Sequence, residues 1–139
     1  MSEPHFPLGV ELMDDDHAAI ETMLETAATA PDDQLRDRLV ACRDEIAAHF
    51  AREEHLMAGA GLPVLACHKA QHRRLIEDVE AVLAETPVAA RLRDYLGRDL
   101  PNLIMAHIAS VDQMAARFLN GDLPMEMIER LRIAEENAR

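Results

Sequence analysis

Positive charge, cysteine, glycine and tryptophan are all scarce in this chain, and each shortage removes a class of protein. Lys and Arg total 14 against 26 Asp and Glu over 139 residues, a formal net charge of -12. That sign repels phosphate backbones and anionic lipid surfaces, so neither nucleic acid nor a membrane is expected as a partner. The 2 cysteines, Cys42 and Cys67, are too few for a disulfide scaffold and show no CxxC spacing, so nothing demands an oxidising compartment. The opening residues carry Glu3, Pro4 and Pro7 rather than a basic segment followed by an apolar run, and a cytoplasmic address is expected. Glycine is held to 5 residues, and Val, Ile and Thr runs at strand spacing are missing, which argues against a β fold. No internal repeat or low-complexity stretch appears.

What is present suits one soluble globular domain, with 49% hydrophobic and 29% charged residues dominated by the helix formers Ala, Leu, Glu, Arg and Met. Apolar residues recur at spacings of three and four, so the chain reads as all-α. A first helix is predicted from about Asp14 to Ala30, closed by Pro31. A second runs to Gly59 and Gly61 with Leu35, Leu39, Cys42, Ile46 and Met57 inward. Pro63 suits the first turn of a third helix, whose stripe includes Val64, Leu65, Leu75, Ile76, Val79 and Leu83 and which Thr86-Pro87 stops. The fourth spans Val88 to Leu119, with a kink or break expected at Gly97 and Pro101. A short last helix from Leu123 to about Asn137 has Met127, Ile128 and Leu131 as its apolar edge, against the bundle or in a dimer contact. Short connections favour antiparallel neighbours, so the expected architecture is an up-down-up-down four-helix bundle over residues 14–119, with an N-terminal arm at 1–13 and a helical extension at 120–139.

The contents of the inward stripes are unusual. His17, His49, His68, His72 and His107 occupy positions where a bundle would put Leu, and Glu53 and Asp112 lie near them. Buried polar groups cost several kcal/mol unless they are paired or bind a metal, so these seven need a common explanation. One pair at i,i+4 on the second helix, another on the third, a His and an Asp on the fourth and a His on the first put donors on all four helices. Such side chains converge only inside a bundle. His5 and His55 fall off these stripes and read as surface residues, and the 8 Met residues read mainly as core filler.

Five imidazoles with two carboxylates and no thiolate exclude iron–sulfur and structural Cys–zinc sites, leaving iron, manganese, copper or zinc. Seven donors are too many for one ion. His68-Lys69-Ala70-Gln71-His72 has the zincin spacing, but Lys69 stands where the general-base Glu belongs, which argues against a metalloprotease. A ferritin-like site needs Glu-x-x-His pairs, and the sequence has none.

These residues carry a family resemblance. His49-Phe50-Ala51-Arg52-Glu53-Glu54-His55-Leu56-Met57, then Gly61-Leu62-Pro63, then His68 and His72, is similar to the HFxxEExxM…GxP…HxxxH signature of the hemerythrin family, in its bacteriohemerythrin and hemerythrin-like branch. Asp14 with His17 resembles the family's opening DxxH, and His107-Ile108 followed by Asp112 its closing HIxxxD.

The resemblance implies a di-iron centre with an oxo or hydroxo bridge. His68, His72 and His107 would ligate one iron, His17 and His49 the other, and Glu53 and Asp112 would bridge them. Counting the solvent bridge, one iron then has six donors and the other five, and the open position implies reversible dioxygen binding for storage, delivery or sensing. Nitric oxide and peroxide are further candidate ligands. The alternatives are a di-iron redox enzyme, acting as a peroxidase or on nitric oxide, and an iron-binding regulatory module; a binding protein is the leading expectation, as monomer or homodimer. Phe50, Leu103, Ile104 and Ile108 would line the ligand pocket. The chain departs from the family in having no tryptophan: Leu103 takes the place of the usual Trp before the closing HI, and a smaller side chain there predicts easier entry of solvent.

Overall fold

The computed structural model describes residues 6–138, all helical or connecting, so His5 lies outside the described residues. Helix α1 spans Glu11–Ala28, starting earlier than its stripe suggests. The reason is Asp14, whose carboxylate accepts the backbone N–H groups of Leu8 at 2.7 Å and Gly9 at 3.0 Å from inside the first turn. Negative charge at that end also complements the helix dipole. A 3₁₀ turn, Asp32–Gln34, leads into α2, Leu35–Ala60, which ends on Gly61 at φ 72°. Glycine adopts that left-handed conformation without steric cost, and Leu62 donates back to Met57 at 3.0 Å in the usual helix-stop pattern. Helix α3 spans Leu65–Ala84, with Pro63 in the preceding turn rather than the helix itself.

The fourth helix, α4, covers residues 89–119 without a break. Its α-helical runs Ala89–Asp94, Leu100–His107 and Gln113–Leu119 are joined by π-helical turns at Tyr95–Asp99 and Ile108–Asp112. The break expected at Pro101 is absent because the first wide turn lies just upstream, moving the preceding carbonyls away from the ring that would otherwise strike them. Helix α5, Met125–Asn137, lies on the outside of the bundle. None of the helices is long and apolar enough to cross a membrane among the described residues.

Neighbouring helices run antiparallel. Arg36, at the start of α2, donates to the Leu83 carbonyl at the end of α3 at 3.0 Å. Arg93, early in α4, donates to the carbonyls of Ala28, the last residue of α1, at 2.8 Å and of Ala30, just past it, at 3.0 Å. Each guanidinium adds a donor to carbonyls at or just past a helix C-terminus. The bundle is divided along its length. One half is an apolar core that includes Leu24, Leu39, Ile46, Val79, Leu96 and Leu100. In the other half the inward stripes carry the histidines and acids, and Met13 and Met57, both fully buried, follow one helical turn further out. The expectation that methionine fills the core holds for that pair; Met114, Met125 and Met127 are exposed.

Candidate metal centre

All seven expected donors meet in the polar half of the bundle. His17, His49, Glu53, His68, His72, His107 and Asp112 are each at most 8% exposed, and Glu53 and Asp112 are 0% exposed. Their atoms form two groups that share both carboxylates. Glu53, His68, His72, His107 and Asp112 make one, and His17, His49, Glu53 and Asp112 the other, each with all donor atoms within 4.8 Å of one another.

The sharing is resolved oxygen by oxygen. Glu53 Oε1 lies 2.9 Å from His68 Nε2 and 3.1 Å from His72 Nε2. Asp112 Oδ1 lies 3.1 Å from His68 Nε2 and 3.0 Å from His107 Nε2. The second oxygens turn the other way, Glu53 Oε2 to His49 Nε2 at 3.1 Å and Asp112 Oδ2 to His17 Nε2 at 3.1 Å. Each carboxylate therefore spans the two groups, one oxygen to each, as a bridging ligand does.

His107 and Asp112 are five residues apart, a spacing that puts them on different faces of an ordinary α-helix. The π turn at Ile108–Asp112 has i→i+5 hydrogen bonding and restores them to one face.

Hydrogen bonding alone does not satisfy this cluster. His17 Nδ1, His17 Nε2, His49 Nε2, Glu53 Oε2, His107 Nε2 and Asp112 Oδ2 are buried without a hydrogen-bond partner among the described residues, although several face one another near 3 Å. An unpaired buried polar atom costs about 1–3 kcal/mol, which makes this arrangement costly unless something sits between the atoms. Donors bound side by side on an ion at about 2.1 Å lie about 3 Å apart, so the spacing fits metal ligation. Imidazole and carboxylate donors without thiolate suit a first-row transition metal.

The outer nitrogens of two imidazoles are fixed by carboxylates from neighbouring helices. His49 Nδ1 donates to Asp16 at 2.8 Å, and Asp16 also accepts from Arg52 at 3.0 Å. His72 Nδ1 donates to Glu54 at 2.9 Å. A carboxylate can only accept, so each Nδ1 carries a proton, and a metal bound in the centre would meet the lone pair of Nε2 once that nitrogen gives up its own proton. Burial raises the Asp16 carboxyl, but Arg52 and His49 outweigh it and hold it below its ordinary value.

The charges in the cluster support one another in the same way. Burial pushes the Glu53 carboxyl up, yet the imidazoles of His49, His68 and His72 hold it down at about 2. Asp112 is likewise held well below the usual carboxylate range by His107, His17 and His68 against its burial. Burial favours neutral His68, but Asp112 and Glu53 raise it to about 9. His49 is raised by Glu53 and Asp16 against the same opposing effect.

An apolar layer borders the donors. Phe50 stacks on His72 with ring centroids 3.8 Å apart and planes 3° apart, and tilts against His49 and His107. Ile104 and Ile108 are buried in the same apolar cluster as Phe50. Leu103 departs from its expected place: it is 40% exposed and lines an outer groove of about 300 Å³ with Leu75 and His107. It stands one residue off the inward stripe of Ile104 and His107, so it borders His107 from outside rather than covering the donors. His55 is exposed, as its position off the stripe implies.

Asp16 and Glu54 are the site residues that reading the sequence missed. Both stand in acidic runs, Asp14-Asp15-Asp16 and Glu53-Glu54, that look like solvated surface. The partner of each lies on another helix, where periodicity along one helix cannot reveal it.

The comparisons with known proteins agree with this geometry. The Hemerythrin HHE cation binding domain family matches residues 8–119. The chain is 30% identical over 113 residues to a bacteriohemerythrin of Stenotrophomonas maltophilia (strain R551-3), covering 78% of this chain and 74% of that one. It is 30% identical over 115 residues to a bacteriohemerythrin of Ralstonia nicotianae (strain ATCC BAA-1114 / GMI1000), covering 81% and 82% respectively. No solved structure matches at the same stringency. The chain belongs to the hemerythrin family, and its buried histidine and carboxylate cluster is the candidate cation-binding centre of that domain.

Proposed function

We propose that this protein holds two iron ions joined by an oxo or hydroxo bridge and binds dioxygen reversibly, for storage, delivery or sensing. The observation that carries this reading is the inequality of the two donor groups. Three imidazoles share Glu53 and Asp112 on one side, whereas two share them on the other, so the His17 and His49 side has fewer protein donors and would leave a coordination position for a small ligand. Held by these seven residues, two irons would supply the redox chemistry that reversible dioxygen binding uses.

The chain's own residues favour binding over turnover. Phe50, Ile104 and Ile108 exclude water and offer no proton donor, and Asp16 and Glu54 keep the His49 and His72 rings in one orientation. One chain supplies every donor, so the function requires no second copy. The cytoplasm suits a chain whose cysteines, Cys42 and Cys67, are both free.

A second reading, a di-iron redox enzyme acting on peroxide or nitric oxide, is favoured by the groove beside Leu103 that opens onto His107. Cycling the iron-loaded, reduced protein between air and argon while recording the visible spectrum separates the two. Repeated recovery of both spectra supports reversible binding. Irreversible oxidation on the first exposure, with catalytic loss of added peroxide, assigns the protein to the enzyme class instead.

A further inference from the structure

Between α3 and the second half of α4 lies a cavity of about 280 Å³ that the metal centre does not use. Phe118 and Met114 form its α4 wall, Leu62 belongs to the turn before α3, and Leu123 and Leu131 close it from the C-terminal segment. Four grooves elsewhere on the bundle each include carboxylate or guanidinium side chains in their walls. This cavity includes none, and its polar wall residues are uncharged groups such as Gln71 and Ser110, apart from the His68 ring. The domain match ends at residue 119, so Leu123 and Leu131 lie beyond the matched domain.

The closing segment is tethered where the backbone is strained. Val64 has φ 56°, a left-handed conformation that is strongly unfavourable for a β-branched residue. Its N–H donates to Glu135 of α5 at 2.7 Å, a bond that joins the far end of α5 to the cavity rim. Half-buried Ile128 and Leu131 face the bundle from the same side of α5, while Met125, Met127 and Ile133 face outward.

We propose that this cavity is a binding site for a small uncharged apolar molecule, of the class of a single aromatic ring or a short alkyl chain, with α5 as its cover. An enclosed apolar cavity of about 150 Å³ takes up benzene, and this more open site, with an apolar wall and a larger volume, has space for one ring with a short substituent. Because His68 is part of the wall, an occupant rests beside an imidazole of the metal cluster.

Cys67 provides the test, since it lies in the cavity wall and is exposed. The other thiol, Cys42, is buried and pushed up by burial to about 11, so it stays unreactive at neutral pH. The rate at which a thiol reagent modifies the metal-loaded protein is measured against benzene concentration. Saturable slowing is expected, about tenfold at a benzene concentration about ten times its Kd, and Leu131→Trp, which fills the cavity, abolishes it. A rate unaffected by benzene up to its solubility limit overturns the proposal, as does equal slowing in Leu131→Trp. Should that variant fail to fold, a benzene-soaked crystal of the unaltered chain decides. Density between Leu131 and Phe118 supports the site, and density elsewhere or none refutes it.

Discussion

His107 and Asp112 bring Nε2 and Oδ1 to 3.0 Å of each other across a spacing of five residues, because a π turn occupies Ile108–Asp112. A π turn is an α-helical turn carrying one extra residue. Deleting the exposed Ala109 converts the pair to i,i+4 on a plain α-helix, which also presents both side chains to one face. The expected outcome is a folded protein that keeps its full iron content. Deleting Ala106 instead, upstream of His107, rotates the donors relative to the rest of α4 and abolishes metal binding. Iron per chain, measured beside circular dichroism, checks both.

Asp16 and Glu54 fix the orientation of one imidazole in each donor group. Asp16→Ala and Glu54→Ala should each weaken metal binding by about 10–100-fold, measured by chelator competition. The loss in Asp16→Ala falls on the His17 and His49 side, and that in Glu54→Ala on the three-histidine side. His55→Ala, at an exposed position, leaves affinity unchanged.

Glycine at position 97 leaves room to spare. A Cβ there would meet Ala28 Cβ at 3.7 Å, an ordinary contact, and Gly97 is not among the positive-φ glycines. Gly97→Ala should stabilise the protein by up to about 1 kcal/mol through the lost flexibility of the unfolded chain. Denaturant unfolding that shows Gly97→Ala to be clearly destabilised contradicts the packing described between α1 and α4.

The metal-free protein should have a stability maximum in mildly acidic solution. Glu53 is held at about 2 against an ordinary 4.5, so its contribution is present above 4.5 and is lost as pH falls towards 2. His68 is raised to about 9 from 6.5, so its contribution is full below 6.5 and is lost as pH rises through 9. Metal affinity runs the other way over the upper range and strengthens from pH 6.5 to 9, because ligation displaces the His68 proton. Unfolding and metal titrations across pH check the two trends separately.

The four long stripes were legible because each helix buries one continuous face, and the seven donors were legible because they stand on those faces. The features that escaped depend on relations between helices or on departures from 3.6-residue periodicity. The π turns are such departures, and one of them lies just upstream of Pro101, which the helix passes without a break. The resemblance implies an inward Leu103, whereas the stripe through Ile104 and His107 turns it outward. Asp16 and Glu54 act on imidazoles of neighbouring helices, and the cavity under α5 exists only once Leu131 and Phe118 line it from different helices.

The central claim is that Glu53 and Asp112 each join two unequal metal positions. Anaerobic titration of the metal-free protein with ferrous iron, followed by Mössbauer spectroscopy after oxidation, tests it most directly. The account predicts saturation at two irons per chain, in inequivalent environments and magnetically coupled through the shared bridges. Saturation at a single iron, or two irons without coupling, would contradict it.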